Sequence, residues 1–167
     1  MRHFLAALVL VVSSAVTAAA QPVIFLVRHA ERADAGMASA KVAGADPDLS
    51  SAGVARANAL AGVLKEARIT AVITTQYKRT LQTGGPTAKA AGVPPTVIDS
   101  KDSAGLLQKV KSAHGNVLVV GHSNTLPDLL KALGVTEPVT IAEDEYDAIF
   151  VVTLGSSPTF VRLRYPR

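Results

Sequence analysis

Apolar runs and helix-like segments alternate along this chain, and three of the runs end in polar clusters. Residues 23–27, 71–74 and 116–120 have the length and β-branched content of buried strands. Between them, Val54, Ala57, Leu60, Ala61 and Leu64 recur at helical spacing behind Ser50, a suitable N-cap. A second helix is expected from about Lys78, interrupted or kinked at Gly84-Gly85-Pro86. A third strand is expected at 96–98 and a third helix at 104–113. A last helix is expected at 126–133, with Gly134 closing it. Residues 148–154 and 159–165 read as a hairpin around Gly155-Ser156-Ser157-Pro158. In its second strand Val161, Leu163 and Tyr165 alternate with Arg162 and Arg164, which predicts one wet face at a sheet edge. The order predicts an α/β fold: a three-layer α/β/α sandwich with a largely parallel central sheet and a C-terminal antiparallel hairpin.

A chain of 167 residues with 49% hydrophobic and 18% charged content has enough apolar mass for one core. Its start is a separate object. Arg2 and His3 precede an apolar stretch at 4–12, small residues follow, and Ala18 and Ala20 form an A-x-A site. This pattern predicts a signal peptide at 1–20, cleavage before Gln21, and a periplasmic or secreted domain at 21–167. The apolar stretch is short for a spanning helix, so no stable membrane anchor is expected after cleavage. Without Arg2, 16 basic against 13 acidic residues leave a net charge of +3. These charges are scattered, with no basic stripe interleaved with aromatics, and no nucleic-acid partner is expected. With no cysteine, disulfide and thiolate chemistry are excluded.

In parallel α/β sheets, ligands gather at the carboxyl ends of the strands. Arg28 and His29 follow the first strand, Thr74 and Thr75 end the second just before Tyr77-Lys78-Arg79, and His122 follows 116–120. Two histidines and two arginines therefore converge on one rim. The stretches LVRHAE at 26–31, LSSAG at 49–53, TTQYKRTLQT at 74–83 and VVGHSNT at 119–125 resemble, in this order, the histidine phosphatase superfamily, also called the phosphoglycerate mutase-like fold. The resemblance covers nearly all of the chain after residue 20. It implies His29 as nucleophile and Arg28, Arg79 and His122, with His29, as the phosphate pocket. The chemistry agrees, because a neutral imidazole attacks phosphorus and planar guanidinium groups match phosphoryl oxygens. Asn124 reads as a helix N-cap, and Tyr77 and Lys78 as rim residues.

The proton donor departs from the pattern. Many relatives carry a Glu after the second arginine motif, but none lies between Glu66 and Glu137, and Ser123 stands where another branch has Asp. Candidate donors are Glu31, Asp99, Asp102 and Asp128. Leaving groups such as those of acyl phosphates or phosphohistidine need little help from an acid. The expected function is a phosphomonoester hydrolase of the histidine acid type, acting through a phosphohistidine on a small phosphorylated substrate, with broad selectivity and no cofactor or metal. A non-catalytic phosphate binder of the same fold and a phosphoglycerate mutase-type phosphotransferase are the alternatives. A serine hydrolase elbow at GHSNT lacks its second Gly, where Thr125 stands, and leaves Arg28, His29 and Arg79 without a role.

Overall fold

The computed structural model describes residues 21–35 and 46–166, so the leader read at 1–20 lies outside the described residues. The central strands alternate between two buried faces. On β1 (Val23–Arg28), Ile24 and Leu26 enter one core and Val27 the other. On β4 (Asn116–Gly121), Val117 and Val119 join the first core, Leu118 and Val120 the second. A strand buried on both faces needs apolar residues at every position, which is why these two runs are continuously aliphatic.

Six strands form one sheet in the order β3-β2-β4-β1-β5-β6, where β2 is Ile69–Thr74, β3 Pro95–Val97, β5 Ala148–Thr153 and β6 Thr159–Arg164. The first four are parallel, β5 runs antiparallel to β1, and β6 antiparallel to β5. Helices α1 (Ser51–Val63) and α2 (Lys78–Ala91) cover one face with Leu60 and Ala88. On the other face, α3 (Ser103–Lys111) and α4 (Leu126–Ala132) contribute Val110, Leu126, Leu129 and Leu130. The expected three-layer sandwich is the one observed.

Three local expectations change. First, α2 is not interrupted at Gly84-Gly85-Pro86 but runs through it with Pro86 inside. Gly84 serves packing there: a Cβ would stand 3.1 Å from both Thr74 Cγ2 and Val72 Cγ1, so its absence lets the helix lie close on β2. Second, the N-cap of α4 is Thr125, without a side-chain capping bond, rather than Asn124. Third, β6 is an edge strand, but Val161 and Leu163 are about half exposed and only Tyr165 of that face is buried. The other face carries Phe160, stacked on Phe150, and Arg162, whose guanidinium covers the Phe150 ring at 5.2 Å. The alternation is real, yet the arginine stem shields the core where an apolar side chain was expected.

Candidate active site

The rim is built by extending the β1–β4 pairing by one residue. Arg28 pairs with Gly121 in register, and the His29 amide donates to the Gly121 carbonyl at 3.0 Å. That bond holds His29 beside His122, with ring centroids 5.5 Å apart, and both rings are buried, 5% and 7% exposed. The exit of β1 is then pinned from two helices. The Ala30 amide donates to Thr83 Oγ1 at 2.9 Å, and Thr83 Oγ1 donates to the Arg79 carbonyl at 2.7 Å. On the α1 side, the Ser50 amide donates to the Glu31 carbonyl, and Ser50 Oγ caps α1 by accepting from the Gly53 amide. Gly53 is required by the close approach, since a Cβ there would lie 2.2 Å from the Glu31 carbonyl oxygen.

Histidine 29 is neutral in this setting. Burial drives its pKa down from 6.5 to about 3, against the bond to Ala30, and His122, Arg28 and Arg79 add to the depression. Its Nδ1 lies 2.8 Å from the Ala30 carbonyl oxygen, which only accepts, so Nδ1 carries the proton and Nε2 keeps a lone pair. The pKa of His122 falls to about 4, again mainly through burial, with Arg79 and Arg28 contributing.

The arginines are held differently. Arg28 spends Nη1 on the carbonyls of Ala142, Glu143 and Glu145, at 2.8, 2.8 and 3.2 Å. Its Nη2 donates to the Tyr146 hydroxyl, and its guanidinium lies 4.2 Å from the Tyr146 ring centre. Arg79 stacks on Tyr77 at 4.1 Å and approaches Asp46 at 3.7 Å. Both keep a buried Nε–H with no acceptor among the described residues. Each of the two donors is thus desolvated and unspent, which suits an anion.

Three of the four proton-donor candidates are engaged by other groups. Glu31 binds Arg56 through three contacts of 2.7–3.0 Å, a largely buried ion pair between the β1 exit and α1. Asp99 accepts from the Lys101 amide and Gln76 Nε2, and Asp102 caps α3 through the Gly105 amide. Asp128 lies in the first turn of α4. These three aspartates line a separate cavity of about 360 Å³, which contacts Thr75 and Gly121 but neither rim histidine. Among the described residues, no group of three or more His, Asp or Glu is placed to hold a metal ion. His122 Nε2 is taken by Thr75 Oγ1 at 3.1 Å, not by Ser123.

The structure also brings in residues whose sequence context gave them no part in the site. Tyr146 lies 6.2 Å from His29, ring centre to ring centre, and sits in a loop with no periodic pattern. Thr75 and Thr83 belong to the TTQYKRTLQT stretch, which was read through its arginine. Asp46 accepts from the Lys78 amide at the start of α2 while facing Arg79.

Comparison with known proteins places this arrangement. The family model of the Histidine phosphatase superfamily (branch 1) matches residues 24–101, the segment carrying Arg28, His29 and Arg79. No curated protein matches. Among solved structures, the protein histidine phosphatase SixA complexed with tungstate is similar at a TM-score of 0.64 and 21% identity, covering 85% of this chain and 96% of that one. A putative phosphohistidine phosphatase SixA from Agrobacterium tumefaciens gives a TM-score of 0.61 at 20% identity, with 87% and 97% covered. The mycobacterial glucosyl-3-phosphoglycerate phosphatase in complex with VO3 gives 0.65 at 13% identity, with 86% and 98% covered. At these identities the likenesses establish the fold. Residues 24–101, which carry the first three of the four motifs, thus match the histidine phosphatase superfamily, and the fold around them is shared.

Proposed function

We propose that this chain is a phosphomonoester hydrolase that works through a phosphohistidine on His29. The observation that carries the reading is the fixed tautomer of His29: its Nδ1–H is held by the Ala30 carbonyl, so Nε2 keeps its lone pair on a ring that also feels Arg28 and Arg79. Nε2 attacks phosphorus, the P–O bond to the leaving group breaks, and the electron pair departs on that oxygen. The Ala30 carbonyl stabilises the imidazolium character that develops on the ring. Arg28, through its remaining donors, and Arg79 balance charge on the phosphoryl oxygens. Water then attacks the phosphorus, the P–N bond breaks, the water's proton passes to solvent, and phosphate and neutral His29 are regenerated.

The chain's fold likeness to a protein histidine phosphatase and to a glucosyl-3-phosphoglycerate phosphatase supports phosphoryl hydrolysis as the class without selecting a substrate. The short connection at 92–94 between α2 and β3 adds no lid there, which favours water over a second acceptor and so hydrolase over mutase. Among the described residues, the groups acting electrostatically on His29 are His122, Arg28 and Arg79. Leaving groups that depart without protonation should therefore turn over fastest. Recognition centred on the phosphate predicts shallow selectivity among such esters.

The test is a panel of aryl and alkyl phosphate monoesters assayed with a chelator present. Aryl esters should be hydrolysed by the wild type, poorly discriminated from one another and inhibited by vanadate, while alkyl esters lag. His29→Ala should be inactive yet folded. Equal activity in that variant would contradict the proposal, and phosphate binding without any turnover would favour a non-catalytic binder. Export is part of the same proposal: the mature protein should begin at Gln21, and N-terminal sequencing that still reads Met1-Arg2-His3 from a native source would overturn it.

A further inference from the structure

Two buried threonines behind His122 form a chain of contacts that favours one placement of protons. Thr80 Oγ1 lies 2.8 Å from the Tyr77 carbonyl oxygen and 3.0 Å from that of Thr75. Carbonyl oxygens cannot donate, and the Tyr77 carbonyl is the nearest acceptor to Thr80 Oγ1, so the single hydroxyl proton of Thr80 is placed there. Thr75 Oγ1 lies 2.9 Å from Thr80 Oγ1, and that contact needs a proton which only Thr75 is left to supply. His122 Nε2 lies 3.1 Å from Thr75 Oγ1, whose proton is already committed, so Nε2 must be the donor. Thr75 and Thr80 are buried, 7% and 0% exposed, so solvent does not compete for these bonds.

We propose that Thr75, backed by Thr80, is a positioning residue that locks His122 in its Nε2–H tautomer. Binding a phosphoryl-type dianion then obliges His122 to take up a proton at Nδ1. The inference rests on the phosphoryl-site reading given above. The two rim histidines are locked in opposite senses: His29 presents Nε2 and His122 is left with Nδ1, each holding a lone pair in the free protein. A lone pair is what a nucleophile needs, but it repels a phosphoryl oxygen. His122 therefore contributes a donor only after gaining a proton, and a dianion stabilises that added charge.

The groups facing His122 are Arg28 and His29 from the end of β1, Arg79 from α2, Tyr77 from the N-cap of α2, and Thr75 from the end of β2. The two guanidinium groups oppose protonation in the free protein, in line with its lowered pKa. A dianion between them offsets that opposition. The site thus couples anion binding to proton uptake on one identified nitrogen.

Nitrogen NMR of 15N-histidine-labelled protein near neutral pH, titrated with inorganic sulfate, tests this directly. Sulfate is a dianion that brings no proton of its own. In the free wild type, His122 should show a protonated Nε2 and an unprotonated Nδ1. At saturating sulfate both nitrogens should be protonated. In Thr75→Val, which removes the acceptor, neutral His122 should shift to the Nδ1–H tautomer and bind sulfate without gaining a proton, and Thr75→Ser should restore the wild-type pattern. A free wild-type His122 with its proton on Nδ1 would overturn the inference, whatever the variants do. So would sulfate binding that leaves Nδ1 bare, and in both cases the phosphoryl-site reading would stand. Sulfate that perturbs neither rim histidine would overturn that reading and the inference together.

Discussion

At the scale of single residues, the two arginines of the proposed pocket have different second tasks, and substitution should separate them. Arg28 ties the loop at 142–145 to β1 through three carbonyls, whereas the Arg79 side chain stacks on Tyr77 and approaches Asp46. Arg79→Ala should lower kcat/KM by about 10²–10³, the loss typical of one transition-state donor, and leave the denaturation midpoint nearly unchanged. Arg28→Ala should lose comparable activity and also on the order of 1–3 kcal/mol of stability, because three loop carbonyls lose a charged donor. Equal denaturant midpoints for the two variants would contradict this division. The histidines make a second prediction. Both have folded-state pKa values below their unfolded value of 6.5, so the unfolded chain binds more protons at pH values between the two. Their contribution is complete above about pH 6.5 and is lost as pH falls. Near pH 5 each costs on the order of 2 kcal/mol relative to pH 7. Replacing His122 with Gln should shrink the fall in unfolding free energy between those pH values by about that amount. An unchanged pH slope would show that the ring is not held neutral by the fold.

At the scale of elements, α1 owes its position to the glycine in its first turn. In Gly53→Ala the new methyl would meet the Glu31 carbonyl at 2.2 Å, forcing α1 away from the β1 exit and straining the Glu31–Arg56 pair. A loss of about 1–3 kcal/mol or more is expected. Gly62→Ala in the same helix meets nothing within 4 Å and should be neutral or stabilise by up to about 1 kcal/mol, because alanine is the better helix former. Urea denaturation of the pair checks both signs. The same elements show what the sequence could disclose. Strand and helix order, the Ser50 cap and the placing of Arg28, His29 and His122 at strand tips follow from local patterns that the core enforces. The sequence left open whether α2 stops or only bends at Gly84-Gly85-Pro86; that it runs on, with Gly84 packed closely on β2, is a tertiary fact. The pairing of Glu31 with Arg56, 25 residues away, was not legible, nor was the arrival of Tyr146 beside Arg28 from 118 residues downstream. Those contacts depend on how loops close over the rim, and periodicity carries no information about loops.

At the scale of the whole molecule, a sheet buried on both faces holds three strand tips in fixed register, and that register assembles a neutral imidazole beside two arginines. The β1–β4 pairing sets His29 against His122, while the turn after β2 delivers Thr75 and, through the start of α2, Arg79. The central claim is that His29 Nε2 becomes covalently bonded to phosphorus during turnover. Rapid quenching during hydrolysis of a 32P-labelled aryl phosphate, followed by peptide mapping, tests it most directly. The account predicts label on the wild-type chain that is stable in alkali, labile in acid and confined to the peptide containing His29, with none on His29→Ala. Turnover by a wild-type chain that never carries label, or label that persists in His29→Ala, would contradict it.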